Sequence, residues 1–396
     1  MIILTKDFLL SAPLKVLSIH QGTTDMVDSE KIPSTCKRCN KSTANQKIRS
    51  EDVCGTCFAF YVTTKTIKRM EGYRVRGSKL QAPKKLLLPL SYGPCSSSLL
   101  QILDNHLQGQ YDRMKRVAYE LVVVHIDLFV TVEDREFSTR KLEQFKSRFP
   151  RHQFISFGLE ESLHLEEIDW AALGIVQLSL NENPTEKLWQ YLTSVRSPTD
   201  RADIISILLT RLLVHIGKKN SCSSILFGDS TTKLAEKTLT EIAKGRGITL
   251  PWQIYDGTSA YGIGFNYPMR DLLKKEILAF CSLTSSLESL IIFDQVASIS
   301  AHPKSVTIND LMLQYFQSTE EDYPSIVANV VRTVSKLSVV ADNIKISCGI
   351  CGFPCIKNEN SSQPSHQASD IDPPTDKSDS EKKFCDGCLK LVTVIK

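Results

Sequence analysis

No run of about 18 apolar residues occurs anywhere in the 396-residue chain, so nothing in it reads as a membrane-spanning helix. The first twenty residues are apolar in character, but Lys6, Asp7 and Lys15 interrupt them, and the continuous apolar core of a secretory signal is missing. A cytoplasmic location without a membrane is the expectation. Charge of one sign is also in short supply: 48 basic against 44 acidic residues leave a formal charge of +4. Chain-wide basicity is therefore excluded as a basis for nucleic-acid binding, and any such role rests on local patches.

What is present is a soluble globular composition, 42% hydrophobic and 23% charged, with enough length for one large domain plus appendages or for two domains. Cysteine is abundant. Nine of the 12 cysteines fall into two groups near the ends of the chain, and in an intracellular setting clustered cysteines argue for metal sites over disulfides. Cys36 and Cys39 form one CxxC pair, and Cys54 and Cys57 form a second after fourteen intervening residues. Each knuckle presents two thiolates from one turn, so the two close tetrahedrally on one zinc ion with no open position for chemistry. In the tail, Cys348 and Cys351 with Cys385 and Cys388 are the expected ligands of a second zinc, and Cys355 is a spare that can substitute. Thiolate ligation is shared by zinc and iron, so iron stays open at the terminal set. Between them, residues 358–383 are rich in Ser, Pro, Asp and Lys and read as a disordered insertion.

The central stretch is LLLPLSYGPCSSSLLQILDN, Leu86 to Asn105. Leu86 to Leu90 reads as a buried strand, Ser91 to Ser97 as a tight small-residue turn, and Leu99, Leu100 and Leu103 as the apolar face of a helix. Strand, small-residue loop and helix is how a phosphate cradle is built, because loop amides and the helix dipole converge on one point. An ordinary strand-to-helix turn without a ligand fits the same residues.

Beyond it the chain alternates. Glu120 to Ile126 and Gln153 to Gly158 read as strands and Ser138 to Phe149 as a helix; then come a long helix at Asp200 to Ile216, a strand at Ser224 to Phe227 and a helix at Thr231 to Lys244. Further helices are expected at Leu272 to Phe280, at Asn309 to Ser318 and at Pro324 to Leu337. Such alternation predicts parallel βαβ units with ligands at the carboxyl ends of the strands. Asp127 lies at one such end, either near a ligand or as a turn residue.

Phe58 to Met70 predicts a helix that opens a basic run in which Lys65, Lys68, Arg69, Arg74 and Arg76 are the candidate contacts to RNA phosphates, with Tyr61 and Tyr73 placed to stack. A solvated helical face is the plainer reading.

The loop resembles the signature of the PP-loop ATP-pyrophosphatases, Ser-Gly-Gly-x-Asp-Ser, in damaged form. Ser91, Gly93 and Ser96 match, while Tyr92 stands for a glycine, Cys95 for the aspartate, and Pro94 removes an amide. Together with the first cysteine ribbon, RSPTDRADI at Arg196 to Ile204, LFGDSTTKLAEKTLTEIAKGRG at Leu226 to Gly247, YPMRDLLKKEI at Tyr267 to Ile277 and the terminal CxxC pairs, the chain resembles the cytoplasmic tRNA 2-thiolation protein 2 family.

The resemblance implies an α/β fold of PP-loop, Rossmann-like type with a parallel sheet. The patterning of the residues divides the chain into a leader at 1–34, which the resemblance leaves uncovered, a zinc ribbon at 35–62, a degenerate PP-loop domain at 63–340 and a second zinc-binding module at 341–396. A catalytic paralogue as heterodimer partner, tRNA as substrate and a ubiquitin-related sulfur carrier as sulfur source are implied by the resemblance likewise. Members support 2-thiolation of the wobble uridine in tRNAs for lysine, glutamate and glutamine. The stretch from Ser194 to Ile204 has no CxxC where the catalytic paralogue carries one, so Cys95 and Cys222 are left as isolated thiols. The expectation is a non-catalytic subunit that does not bind ATP, its pocket plugged by the Tyr92 ring. An active ATP-dependent tRNA sulfurtransferase and a zinc-stabilised scaffold without RNA contact are the rival readings.

Overall fold

The computed structural model describes residues 34–75, 82–128, 131–175, 182–293, 306–337, 344–356 and 384–395. Arg76, most of the expected leader and the expected insertion at 358–383 lie outside the described residues.

A short hairpin, β1 (Gln46–Ile48) and β2 (Glu51–Val53), leads into helix α1 (Gly55–Arg69). The first half of the main sheet follows as β3 (Lys84–Pro89), α2 (Pro94–Met114), β4 (Tyr119–Asp127), α3 (Val132–Arg148) and β5 (Gln153–Gly158). Helices α4 (Pro184–Ser194) and α5 (Pro198–Lys219) lead to β6 (Ser224–Leu226), α6 (Thr231–Ala243), α7 (Leu250–Ile254), β7 (Gly257–Thr258) and β8 (Gly264–Asn266). The chain then runs through α8 (Lys274–Ser282), α9 (Ser285–Glu288), α10 (Ile308–Asp322), α11 (Pro324–Val334), the pair β9 (Ile344–Ser347) and β10 (Pro354–Ile356), and α12 (Asp386–Ile395).

The six main strands lie in the order β5-β4-β3-β6-β8-β7, parallel except for the short antiparallel edge strand β7. The order reverses direction between β3 and β6. In a doubly wound sheet that reversal opens a crevice at the carboxyl ends of the two strands. Here those ends carry the loops that begin at Leu90 and Phe227.

Alternation along the central strands sorts the core into two layers. Leu86, Leu88, Leu121 and Val123 pack on one face with Cys36 and Cys54, while Leu87, Val122 and Val124 pack on the other with Cys348, Cys351, Cys385 and Cys388. Each terminal cysteine group is thus built into one of the sheet's two hydrophobic layers. No helix of the described residues is long and apolar enough to cross a membrane.

Among the element boundaries that differ from expectation, two have clear local reasons. The turn expected to run to Ser97 ends at Gly93, because Pro94 takes the first helical position, where its missing amide costs nothing and its fixed φ suits the helix. Helix α3 starts at Val132 instead of Ser138, capped by Thr131, whose hydroxyl accepts the Asp134 amide at 3.2 Å. The polar first turn, VEDRE, concealed it from a reading based on apolar spacing.

Candidate functional site

The loop after β3 is closed on itself. The Ser91 amide donates to the Ser96 hydroxyl at 3.2 Å, the two serine hydroxyls lie 3.1 Å apart, and the Ser96 hydroxyl also reaches the Gly93 carbonyl at 3.3 Å. An amide that would face a phosphate is therefore already satisfied from within the loop. The Tyr92 carbonyl accepts the Ile292 amide at 2.8 Å, so the chain after α9 is tied to the same turn.

Tyr92 adopts φ +60, the left-handed conformation that glycine takes without cost and a side chain disfavours by about 1–2 kcal/mol. Its ring corrects the expectation of a plug. It is fully buried, stacked on His125 with centroids 4.1 Å apart and on Phe145 at 5.5 Å, and its hydroxyl donates to the Ser138 carbonyl at 3.1 Å. The ring fills core between β4 and α3 instead of standing in the loop's mouth. Burial lowers the His125 imidazole to about 4, so it is neutral; Nδ1 donates to the Leu90 carbonyl at 2.8 Å and Nε2 accepts from the Ser138 hydroxyl at 3.0 Å.

The loop after β6 lies against the first from the other side of the reversal. A side chain at Gly228 would place its Cβ 3.0 Å from both the backbone nitrogen and Cα of Ser96. This glycine exists for a close backbone approach. Ser230 then caps α6 by accepting the Lys233 amide at 3.1 Å. The neighbouring thiol of Cys95 is pushed by burial up to about 12, and burial raises Cys222 and Cys281 as well. None of the three is poised as a thiolate nucleophile.

Both cysteine tetrads assemble. The four sulfurs of Cys36, Cys39, Cys54 and Cys57 lie within 4.8 Å of one another, and so do those of Cys348, Cys351, Cys385 and Cys388. Cys39 and Cys54 sulfurs are 3.8 Å apart and Cys351 and Cys385 sulfurs 3.7 Å. A tetrahedral ion with metal–sulfur bonds of about 2.3 Å places its sulfurs about 3.8 Å apart, so either group fits a single metal ion. At the first tetrad, backbone amides of Cys39, Cys54 and Arg38 point at the Cys36 sulfur and help lower its thiol to about 6. Cys355 is buried, with its sulfur 3.9 Å from the Phe353 carbonyl, and stands outside the second tetrad.

The candidate phosphate contacts meet different fates. Arg69 forms a two-pronged pair with Asp271 at 2.6 and 2.9 Å and lies 3.6 Å from Asp256. Lys65 donates to the Asp271 carbonyl at 2.9 Å with its amine 4.8 Å from the centre of the Tyr61 ring. Lys68 is exposed, and Arg74 is half-exposed and 3.8 Å from Glu71.

The family model described as cytoplasmic tRNA 2-thiolation protein 2 matches residues 307–389. A protein of that name from Sclerotinia sclerotiorum is 55% identical over 304 residues, covering 76% of this chain and 82% of the relative. Another, from Pyrenophora tritici-repentis, is 40% identical over 335 residues, covering 83% of this chain and 86% of the relative. The chain belongs to the cytoplasmic tRNA 2-thiolation protein 2 family.

Its fold is similar to that of the U34-tRNA thiolase NcsA from Methanococcus maripaludis, solved with its [4Fe-4S] cluster, with a TM-score of 0.52 and 15% identity. The match covers 82% of this chain and 93% of the thiolase. Two residues at the site, His125 and Arg246, escape a reading of the sequence, and so does the contact that Gly228 makes. His125 sits inside an apolar strand pattern with no polar neighbour to mark it, and Gly228 belongs to a loop whose contact with α2 is long-range. Arg246 is buried against the second tetrad: a Cβ at Gly387, between Cys385 and Cys388, would come 2.6 Å from its Cγ. The Gly-Arg-Gly run around it looks like a surface turn.

Proposed function

We propose that this chain is the non-catalytic subunit of a cytoplasmic two-chain complex that installs 2-thiouridine at the wobble position of tRNAs for lysine, glutamate and glutamine. In this reading a catalytic paralogue activates the uridine with ATP, and a thiocarboxylated ubiquitin-related protein supplies the sulfur. The observation that carries the non-catalytic role is the Ser91 amide held by the Ser96 hydroxyl at 3.2 Å, next to a tyrosine in a glycine conformation. A phosphate entering there would have to displace that bond, and Pro94 offers it no amide in exchange. The raised thiols of Cys95, Cys222 and Cys281 agree with a chain that does not carry sulfur itself.

One zinc in each tetrad is the metal assignment this reading favours. All four coordination positions would be filled by sulfur, so the ions would brace the fold without binding substrate. Titration calorimetry of the isolated chain with Mg-ATP tests the central point. No saturable heat at millimolar nucleotide is expected, and micromolar binding abolished by a Ser96→Arg substitution would overturn the reading. Co-purification with the paralogue, with sulfur incorporation into tRNA requiring both chains, tests the two-chain arrangement.

A further inference from the structure

The basic run of α1 is partly neutralised within the molecule, and that neutralisation brings other cations beside it. Asp256 is the hinge of the arrangement, 3.6 Å from Arg69 on α1 and 3.2 Å from Arg270. Arg270 in turn donates to the Ser335 hydroxyl at 2.7 Å, which draws the end of α11 toward α1. Arg332, three residues before Ser335, is exposed in the last turn of α11. The β1–β2 hairpin presents Arg49, exposed at its tip with φ +55. Tyr61 lies between, with the Arg38 guanidinium 5.4 Å and the Lys65 amine 4.8 Å from its ring centre. The ammonium of Lys65 is held below its usual range chiefly by burial, and Arg49 and Arg332 add to the lowering against Glu276 and Asp271.

Three acids of this face are engaged. Glu51 pairs with Arg38 at 3.0 Å, Glu276 accepts the Tyr61 hydroxyl at 2.9 Å, and Asp271 is occupied by Arg69. Arg49, Lys68 and Arg332 have no acidic partner within ion-pair distance among the described residues. A solvated charge run on one helix would not need cations from three separate parts of the chain to meet.

We propose that the tip of the β1–β2 hairpin, the outer side of α1 and the end of α11 form one surface for the phosphate backbone of RNA, with Arg49, Lys65, Lys68 and Arg332 as its phosphate contacts. This rests on tRNA being the substrate of the complex. Arg69 acts as a strut that fixes α1 against the Asp271 loop and does not itself reach phosphate. The hairpin is shaped by the first cysteine tetrad, which thereby gains a place in RNA binding.

The test uses the complete two-chain complex and fluorescein-labelled tRNA, with affinity read by anisotropy across a salt series. An Arg49→Gln/Arg332→Gln variant is expected to bind about tenfold or more weakly, with the slope of log affinity against log salt reduced by about 1.4–1.8, two lost phosphate contacts at about 0.7–0.9 each. A Lys218→Gln/Lys219→Gln variant, altered at the far end of α5, is expected to keep the parent slope. Equal slopes for parent and Arg49/Arg332 variant, or equal losses in both variants, would overturn the surface. Loss of the partner subunit from the Arg49/Arg332 variant with an unchanged tRNA slope would make this face a protein dock and overturn it too. A parent complex that fails to bind tRNA at all would sink the functional reading and this surface with it.

Discussion

The Tyr92 ring lies face to face with the His125 imidazole, centroids 4.1 Å apart and planes 24° from parallel, beneath a loop whose backbone at Tyr92 is left-handed. The stacking and the strain belong together. A conformation costing about 1–2 kcal/mol persists because a buried aromatic side chain contributes more than that.

Replacing Tyr92 with glycine separates these effects. Relief of the backbone strain is offset by the empty space left among His125, Phe145 and Ser138, so Tyr92→Gly is expected to destabilise the protein by about 2–4 kcal/mol in urea unfolding. It is not expected to create ATP binding, since Ser96 still holds the Ser91 amide and Pro94 still lacks one. Nucleotide binding in this variant, read by calorimetry, would show that tyrosine alone had closed the loop.

His125 gives a dependence on pH. Its imidazole titrates near 4 in the folded chain and near 6.5 when unfolded, so between those values the unfolded chain binds more protons. Stability from this group is complete above pH 6.5 and is lost as pH falls toward 4, by about 2 kcal/mol between pH 7 and 5. His106 is also lowered to about 4, mainly by burial, and acts in the same window. Comparing urea midpoints of the parent and His125→Gln at pH 7 and pH 5 isolates His125. The variant is expected to be less stable at pH 7 but to lose less on acidification.

Two glycines, one in the loop and one packed against it, are expected to respond differently. At Gly93 the backbone has φ −76, and a Cβ meets only the Ser91 hydroxyl at 3.4 Å, so Gly93→Ala is expected to stay within about 0.5 kcal/mol of the parent. At Gly228 the added Cβ meets the Ser96 backbone at 3.0 Å, where no side chain can swing aside. Gly228→Ala is expected to cost about 1–3 kcal/mol in the same measurement.

That contrast marks what the sequence could reveal. The alternating apolar strands announced the parallel sheet, and the CxxC spacing announced both tetrads, because each signal is local or repeats at fixed spacing. Gly93 drew attention through its place in a known pattern, yet Gly228 does the close packing, and that contact joins segments more than a hundred residues apart. The same limit hid Arg69's partner: a basic run reads as free charge until the fold supplies Asp271. It also hid the division of the two cysteine groups between opposite faces of the sheet, which depends on how the strands alternate.

Metal content distinguishes the two tetrads. About two equivalents per chain are expected by mass spectrometry of metals, falling to about one in either Cys57→Ser or Cys388→Ser, while Cys355→Ser keeps both. The second tetrad is fully buried in the core of its face, whereas Cys39 and Cys57 are partly exposed. Loss of the ion at Cys388 is therefore expected to lower the unfolding temperature more than loss at Cys57. Retention of iron in place of zinc would change the metal assignment but not this order.

Arg246 connects that second tetrad to the rest of the core. It is 2% exposed and pairs with Asp203, which also takes the Lys244 amine at 3.0 Å, while Glu241 lies 3.7 Å from its guanidinium. Burial opposes its charge, but Asp203, Glu241 and the Cys388 and Cys351 sulfurs outweigh that and hold it firmly protonated. Two cations and two carboxylates balance each other there, and a metal ion held by the four thiolates would add net negative charge for the same guanidinium to stabilise. Removing one member of a buried pair costs about 3–5 kcal/mol, and removing both can be close to neutral. Arg246→Gln is therefore expected to lower stability by that amount and to speed release of one metal equivalent to a chelator, with the first tetrad unaffected. Asp203→Asn combined with Arg246→Gln is expected to recover part of the stability without slowing metal release, because the thiolates still lack their cation. If the double variant regains both, Arg246 serves only Asp203. If it regains neither, the loss comes from packing against the Gly387 turn, where a charge-free side chain of similar length would restore both.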